Sequence, residues 1–126
     1  MVGIVVVSHS DKLVEGVIHL TKMSAKEAKI VGAGGLEDKS YGTSFDIITN
    51  AINEVYSEDG VIVIVDMGSA VMTSQMAIEM LGKDKVVLAD CPLVEGAVTA
   101  TIMASNNMDL DTILNELKSV SSINKV

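Results

Sequence analysis

A histidine between two serines, and an aspartate three residues before another serine, are the residues of this chain best suited to chemistry. His9 lies in the segment Ser8-His9-Ser10, and Asp66 opens the segment Asp66-Met67-Gly68-Ser69. Neutral imidazole is a competent nucleophile near pH 7, because its unperturbed pKa is about 6.5. A carboxylate that accepts from one ring N–H fixes the tautomer and leaves the lone pair of the other nitrogen facing a reactant.

The polar groups around these two residues suit the oxygens of a phosphoryl group. Both segments precede predicted helices, and backbone N–H groups at a helix start bind anions together with nearby hydroxyls. The candidates from these two segments are Ser8, Ser10, Gly68 and Ser69. We therefore predict transient phosphorylation of His9, with Asp66 orienting the ring.

Each of these residues also has a purely structural interpretation. A histidine in a polar loop is often a surface residue or takes part in helix capping. Asp66 could be only an N-cap, and the serines are equally good caps. The convergence of several such groups at one place favours a functional site over any single capping role.

Four apolar segments predict the strands that position these residues. They are Gly3–Val7, Lys29–Ala33, Val61–Val65 and Val86–Ala89. The first is β-branched without polar alternation, as expected for a strand covered on both faces. Helical periodicity follows each strand, in segments that begin near Asp11, near Thr43 or Ser44, after Ser69 and after Pro92, and an amphipathic segment covers Leu110–Val120. Ser10 or Asp11 could cap the first helix, and Ser44 or Thr43 the second.

This alternation predicts an α/β protein with right-handed crossovers and a parallel sheet. The expected architecture is a flavodoxin-like, three-layer fold with a central four-stranded sheet of order 2-1-3-4, flanked by helices. Ligands of such sheets bind outside the carboxyl ends of the strands, where the strand order reverses. With the first strand central, the loops that contain His9 and Asp66 are expected to meet there. At 126 residues, one domain over residues 1–126 is the default.

Composition excludes several classes of partner. Nine basic residues against seventeen acidic ones give a net charge of −8, and no basic stripe suits a nucleic acid. No apolar stretch approaches the roughly 20 residues that span a bilayer. The single cysteine cannot form an internal disulfide and the start lacks a basic leader region, so a cytoplasmic location is expected. No cluster has the spacing of metal ligands.

Several other residues are given structural interpretations. His19 is expected to pair with Glu15 on the solvent side of the first helix. Cys91 is expected to be a small buried hydrophobe. The glycine run at 32–35 and Gly82-Lys83 lack the context of nucleotide-binding motifs, so nucleotide binding by this chain alone is not expected.

The methionines at helical intervals, which are Met23, Met72, Met76 and Met80, are expected mostly to fill the core. An exposed Met67 would instead suit the docking of more than one partner.

Four segments resemble a known family. They are Gly3–Ser10, Gly42–Ser44, Val65–Ala70 and Val87–Ala97. Together they are similar to the phosphotransferase subunits M of phosphoenolpyruvate-dependent dihydroxyacetone kinases, which are themselves similar to the enzyme IIA domains of mannose-type phosphotransferase systems. The loop Asp-x-Gly-Ser-Ala, taken with Ser-His-Ser, is the most specific part.

The resemblance implies a phosphorelay. The histidine that matches His9 would receive a phosphoryl group from the phosphocarrier protein HPr and pass it to ADP in the kinase's nucleotide-binding subunit. The chain itself would bind no cofactor, since ADP/ATP and Mg²⁺ belong to that partner subunit. Thr43 or Ser44 would join the dipoles around the phosphoryl group. The resemblance also implies a homodimer, and no fifth strand is predicted after Met108.

Two other function classes are open on the residues alone. One is a non-catalytic signalling or sensing module on the same flavodoxin-like scaffold, although a receiver domain would have clustered acids after the first strand. The other is a hydrolase that uses Cys91 or Ser69, for which no triad partner stands at a suitable place.

Overall fold

The strands form one parallel sheet, ordered β2-β1-β3-β4, in the computed structural model, which describes all residues from 1 to 126. The strands are β1 (Gly3–Ser8), β2 (Ile30–Gly34), β3 (Val61–Val65) and β4 (Val86–Leu88). The helices are α1 (Asp11–Thr21), α2 (Phe45–Val55), α3 (Ser69–Leu81), α4 (Leu93–Ser105) and α5 (Leu110–Val120). The predicted α/β class and strand order are confirmed. None of the helices combines the length and the apolar character needed to cross a bilayer.

The register of β1 against β3 brings the two candidate loops together. Val7 pairs with Val65, so both strands end at the same edge of the sheet. The backbone N–H of Asp66 then donates to the carbonyl oxygen of Val7 at 3.0 Å. All six residues of β1 are buried, in agreement with a strand that is covered on both faces.

Two apolar cores lie on opposite faces of the sheet. Alternate residues of β1 point to opposite sides, so Ile4 and Val6 belong to one core and Val5 and Val7 to the other. The first core includes residues of α1, α4 and α5, and the second includes residues of α2 and α3. This is the expected three-layer arrangement, and it fixes the helices whose N-termini surround the site.

The prediction that the methionines fill the core was wrong. Four of them, Met23, Met72, Met76 and Met80, are between 57% and 76% exposed. Helix α3 buries its small residues Ala70, Ser74 and Ala77 instead. Helical spacing alone does not distinguish the buried face from the exposed one, and here the small side chains take the face that lies against the neighbouring layers.

A close contact between β2 and the start of α1 depends on Gly34. A Cβ atom there would lie 2.5 Å from Cγ2 of Val14 and 2.8 Å from the carbonyl oxygen of Ser10. Gly34→Ala is therefore expected to lower the free energy of unfolding by about 1–3 kcal/mol, measured by urea denaturation. Gly16→Ala is the matched control: nothing lies within 4 Å of its Cβ, and it should stabilise helix α1 by about 0.5–1 kcal/mol. Equal stability of the Gly34 variant and the wild type would contradict this packing.

Candidate functional site

The ring of His9 is held at both of its nitrogens. Nδ1 lies 3.2 Å from each carboxylate oxygen of Asp66, and Nε2 lies 2.8 Å from Oγ of Ser69. An ionised carboxylate only accepts hydrogen bonds, so the proton belongs on Nδ1 and the lone pair on Nε2. The Ser69 hydroxyl then donates to Nε2. Because 29% of the side chain is exposed, the ring can be reached from outside.

The carboxylate of Asp66 is surrounded by donors. It accepts from the Ser8 hydroxyl at 2.9 Å, the His9 backbone N–H at 3.0 Å and the Met67 backbone N–H at 2.7 Å, in addition to the ring. Partial burial alone would raise the pKa of the Asp66 carboxyl, but the hydrogen bonds from His9, Met67 and Ser8 outweigh it and hold the pKa below its ordinary value. The carboxylate is therefore ionised at neutral pH, as the tautomer assignment requires.

The lowered pKa of Asp66 makes part of the stability dependent on pH. A depressed native pKa stabilises the fold above the ordinary carboxyl pKa of 3.8, and this stabilisation is lost as the pH falls through the native value. At pH 7 the free energy of unfolding of Asp66→Asn should be lower than that of the wild type. The difference between the two free energies should shrink as the pH drops below 3.8. Urea denaturation from pH 7 to acid pH measures it, and a gap that does not change with pH would contradict the assignment.

The backbone and flanking hydroxyls of the first loop hold it in place. The His9 carbonyl accepts from the Gly42 N–H at 3.1 Å. Ser8 is only 1% exposed, and its hydroxyl accepts from the Ser10 N–H while donating to Asp66. The Ser10 hydroxyl accepts from the Leu13 N–H and caps α1. The structure thus gives the hydroxyls of Ser8 and Ser10 partners other than the ring, in Asp66 and in the backbone at the start of α1, and does not bring them to Nε2.

Of the two candidates before α2, Thr43 lies near the ring and Ser44 does not. The Ser44 hydroxyl caps α2 through the Ile47 N–H and donates to the Glu37 carboxylate at 2.6 Å. The Thr43 hydroxyl lies 3.1 Å from Oγ of Ser69 and so belongs to the group around the ring. It also lies 3.0 Å from Oγ1 of Thr73, a residue that the sequence reasoning missed. Its spacing of four from Ser69, one helical turn, is the signal that could have found it.

The start of helix α3 provides an anion-binding position beside Nε2. Gly68 occupies the N-cap with φ +56°, a left-handed backbone conformation that glycine adopts without strain, and no side chain caps the helix. Asp66 is therefore not the N-cap of α3. The N–H groups of Gly68 and Ser69 donate to no protein acceptor. Together with the helix dipole, these N–H groups favour the binding of an anion at the N-terminus of α3, next to Ser69.

The remaining candidates lie outside this group. Burial, with a smaller contribution from the charge of Asp90, raises the pKa of the Cys91 thiol to about 11. A thiol that stays protonated at neutral pH is a poor nucleophile, which disfavours the hydrolase interpretation. His19 is exposed and is absent from the ion pairs of the structure, contrary to the expected pairing with Glu15. No three His, Cys, Asp or Glu side chains come together in a way that could hold a metal ion.

Comparison with protein families and named proteins gives a consistent result. Residues 3–114 match the family described as the PTS system fructose IIA component. The chain is 36% identical to the phosphotransferase subunit DhaM of the PTS-dependent dihydroxyacetone kinase of Lactococcus lactis, over 92% of this chain and 93% of that protein. It is 34% identical to the phosphoryl donor subunit DhaM of the PEP-dependent dihydroxyacetone kinase 2 of Listeria innocua, over 95% of this chain and 99% of the relative. It is 38% identical to the Escherichia coli phosphoryl donor subunit DhaM, but spans only 26% of that longer protein.

Solved structures show the same fold. A protein called EF1359, described as of unknown function, shares 35% identity with a TM-score of 0.84, over 94% of this chain and 93% of that one. The phosphotransferase system component EIIA from Streptococcus agalactiae shares 15% identity with a TM-score of 0.73, over 97% and 93% of the two chains. At that identity the second likeness concerns the fold alone.

Proposed function

We propose that this chain is a phosphocarrier. It belongs to the family of PTS system fructose IIA components, and its relatives over nearly its whole length are the phosphoryl donor subunits of dihydroxyacetone kinases. His9 accepts a phosphoryl group from phospho-HPr and transfers it to ADP held in the nucleotide-binding subunit of dihydroxyacetone kinase. The observation that carries the proposal is the ring held by Asp66 at Nδ1, with the lone pair of Nε2 beside Ser69 and the start of α3.

In the first half-reaction, the lone pair of Nε2 attacks phosphorus. The bond between phosphorus and the donor breaks, and its electron pair leaves with the donor. No proton is removed from the ring of His9, so the ring becomes positively charged as the new bond forms. The Asp66 carboxylate at Nδ1 stabilises that charge.

In the second half-reaction, a terminal phosphate oxygen of ADP attacks the same phosphorus in line. The bond from phosphorus to Nε2 breaks, and its electron pair returns to the ring as the lone pair. Since Nδ1 keeps its proton throughout, His9 leaves as neutral imidazole in the tautomer with which it began. The negative charge of Asp66 also repels the phosphoryl group, which favours passing it onward.

The donors around Nε2 serve the phosphoryl oxygens. The Ser69 hydroxyl, which points to Nε2 in the free chain, turns to a phosphoryl oxygen once that lone pair is used. The N–H groups of Gly68 and Ser69 add two further donors, and the Thr43 hydroxyl supports Ser69.

The proposal extends to the setting in which the chain works. ADP and Mg²⁺ are bound by the partner subunit, the chain acts as a homodimer, and its location is cytoplasmic.

Mass spectrometry tests the proposal directly. After incubation with phosphoenolpyruvate, enzyme I and HPr, the chain should gain the mass of one acid-labile phosphoryl group. His9→Gln should abolish the gain, whereas His19→Gln, which changes the other histidine, should retain it. Adding the nucleotide-binding subunit with ADP should then remove the group and form ATP. An unmodified wild-type chain, or a gain that depends on His19, would contradict the proposal.

A further inference from the structure

A row of three hydroxyls extends from the reactive nitrogen of His9 into helix α3. Oγ of Ser69 lies 2.8 Å from Nε2, Oγ1 of Thr43 lies 3.1 Å from Oγ of Ser69, and Oγ1 of Thr73 lies 3.0 Å from Oγ1 of Thr43. Ser69 and Thr73 stand one turn apart on α3, and Thr43 reaches them from the segment before α2. The row therefore joins two elements of the fold to the ring.

The direction of these hydrogen bonds follows from Asp66. Each hydroxyl has one proton to donate. Because Asp66 requires the proton on Nδ1, Nε2 accepts and the Ser69 hydroxyl must donate to it. Oγ of Ser69 then accepts from Thr43, and Oγ1 of Thr43 accepts from Thr73. Every donor points toward the ring, and hydrogen bonds aligned in this way polarise one another.

The last hydroxyl of the row acts only through the others. Thr73 has no hydrogen bond to His9 or Asp66, and its single side-chain hydrogen bond is the one to Thr43. The backbone of Thr43 is held separately by its bridge with Gly35. What Thr73 contributes is therefore the orientation and polarisation of the Thr43 hydroxyl, and through it of the Ser69 hydroxyl.

We propose that Thr73 is a positioning residue for phosphoryl transfer at His9, through the row Thr73, Thr43, Ser69. The inference rests on the proposed function and extends it to a residue that does not touch the reacting atoms. Before transfer, the row keeps the Ser69 hydroxyl directed at Nε2. After transfer, it supplies an already polarised donor to a phosphoryl oxygen.

The experiment compares Thr73→Val, which removes the hydroxyl and keeps the shape, with Thr73→Ser, which keeps a hydroxyl. The matched control is Thr99→Val on α4, a half-buried threonine that is not part of the row. Rates of phosphorylation by phospho-HPr should fall about 3- to 10-fold in Thr73→Val, recover in Thr73→Ser and remain unchanged in Thr99→Val. Thermal unfolding of each variant separates this effect from a loss of folding.

A second measurement needs no phosphoryl transfer. The ¹⁵N resonance of Nε2 in the free protein reports the hydrogen bond to its lone pair, and it should shift in Thr73→Val toward a weaker bond and return in Thr73→Ser. An unchanged resonance and an unchanged rate in Thr73→Val would overturn the inference. If the wild-type chain is not phosphorylated at all, the proposed function fails, while the resonance still decides whether Thr73 acts on the ring. Should Thr73→Val not fold, Thr73→Ala removes the same hydroxyl, and the same lower rate and shifted resonance are expected; wild-type values for both would overturn the inference.

Discussion

Replacing Asp66 with asparagine is expected to slow phosphoryl transfer to and from His9 by about 10²- to 10⁴-fold. The carboxylate accepts from the ring N–H and from three other donors, which are the Ser8 hydroxyl and the backbone N–H groups of His9 and Met67. Whichever way the amide turns, its NH₂ group faces at least one of them. It costs least for the NH₂ group to face Met67 and the ring, because the other side carries two donors.

That orientation favours the other tautomer of His9. Nδ1 lies 3.2 Å from both oxygen positions of residue 66, but the amide oxygen already accepts from the Ser8 hydroxyl and the His9 backbone N–H, whereas the NH₂ group can donate to a lone pair on Nδ1. The ring proton then moves to Nε2, which removes the nucleophile. Rapid-quench measurements of transfer from phospho-HPr and to ADP would give both rates. Asp90→Asn is the matched control, because Asp90 follows β4 closely but is exposed and makes no hydrogen bond to the ring. Unchanged rates in Asp66→Asn would show that Asp66 does not orient the ring.

Replacing Ser69 with alanine is expected to slow transfer by about 10²- to 10³-fold, the usual effect of removing one preorganised donor to a developing charge. The hydroxyl is the only side-chain group within hydrogen-bond distance of Nε2. The main-chain donors of Gly68 and Ser69 remain in the variant, so some activity should persist.

Two further variants define the role of Ser69. Ser69→Thr keeps a hydroxyl at this position and should recover most of the lost rate. Ser121→Ala removes an exposed hydroxyl at the end of α5 and should leave the rate unchanged. Wild-type rates in Ser69→Ala would mean that the phosphoryl oxygens are bound elsewhere.

The position of His9 beside Asp66 follows from features that the sequence carries strongly. Apolar β-branched segments alternate with helical periodicity, and the rules for parallel sheets then place the ends of β1 and β3 together. The observed pairing of Val7 with Val65 confirms that the two strands end together. The resemblance inferred from four short segments is confirmed by relatives that match over more than 90% of the chain.

The sequence does not determine which hydroxyls reach the ring. Ser10, Ser44 and Ser69 all stand at or just before helix starts, where a serine can either cap the helix or face outward. Ser10 and Ser44 cap their helices, whereas Ser69 is the first residue of α3, one position after the N-cap, and its hydroxyl is available to Nε2. The difference depends on one residue of helix register, which periodicity does not resolve.

The exposed methionines illustrate a second limit. Periodicity locates an amphipathic or apolar face, but in α3 both faces are apolar, since one carries Ala70 and Ala77 and the other carries Met72, Met76 and Met80. The choice between them depends on how closely the helix must approach its neighbours. That quantity belongs to the three-dimensional arrangement of the sheet and helices and not to the local sequence.

The bond between phosphorus and one nitrogen of His9 is the feature on which the whole mechanism depends. NMR of the ¹⁵N-labelled, phosphorylated chain detects that bond directly through the coupling of phosphorus to the ring nitrogens. We expect phosphorus on Nε2 of His9, with a proton retained on Nδ1 beside Asp66. Phosphorus on Nδ1, or on any residue other than His9, would contradict the mechanism.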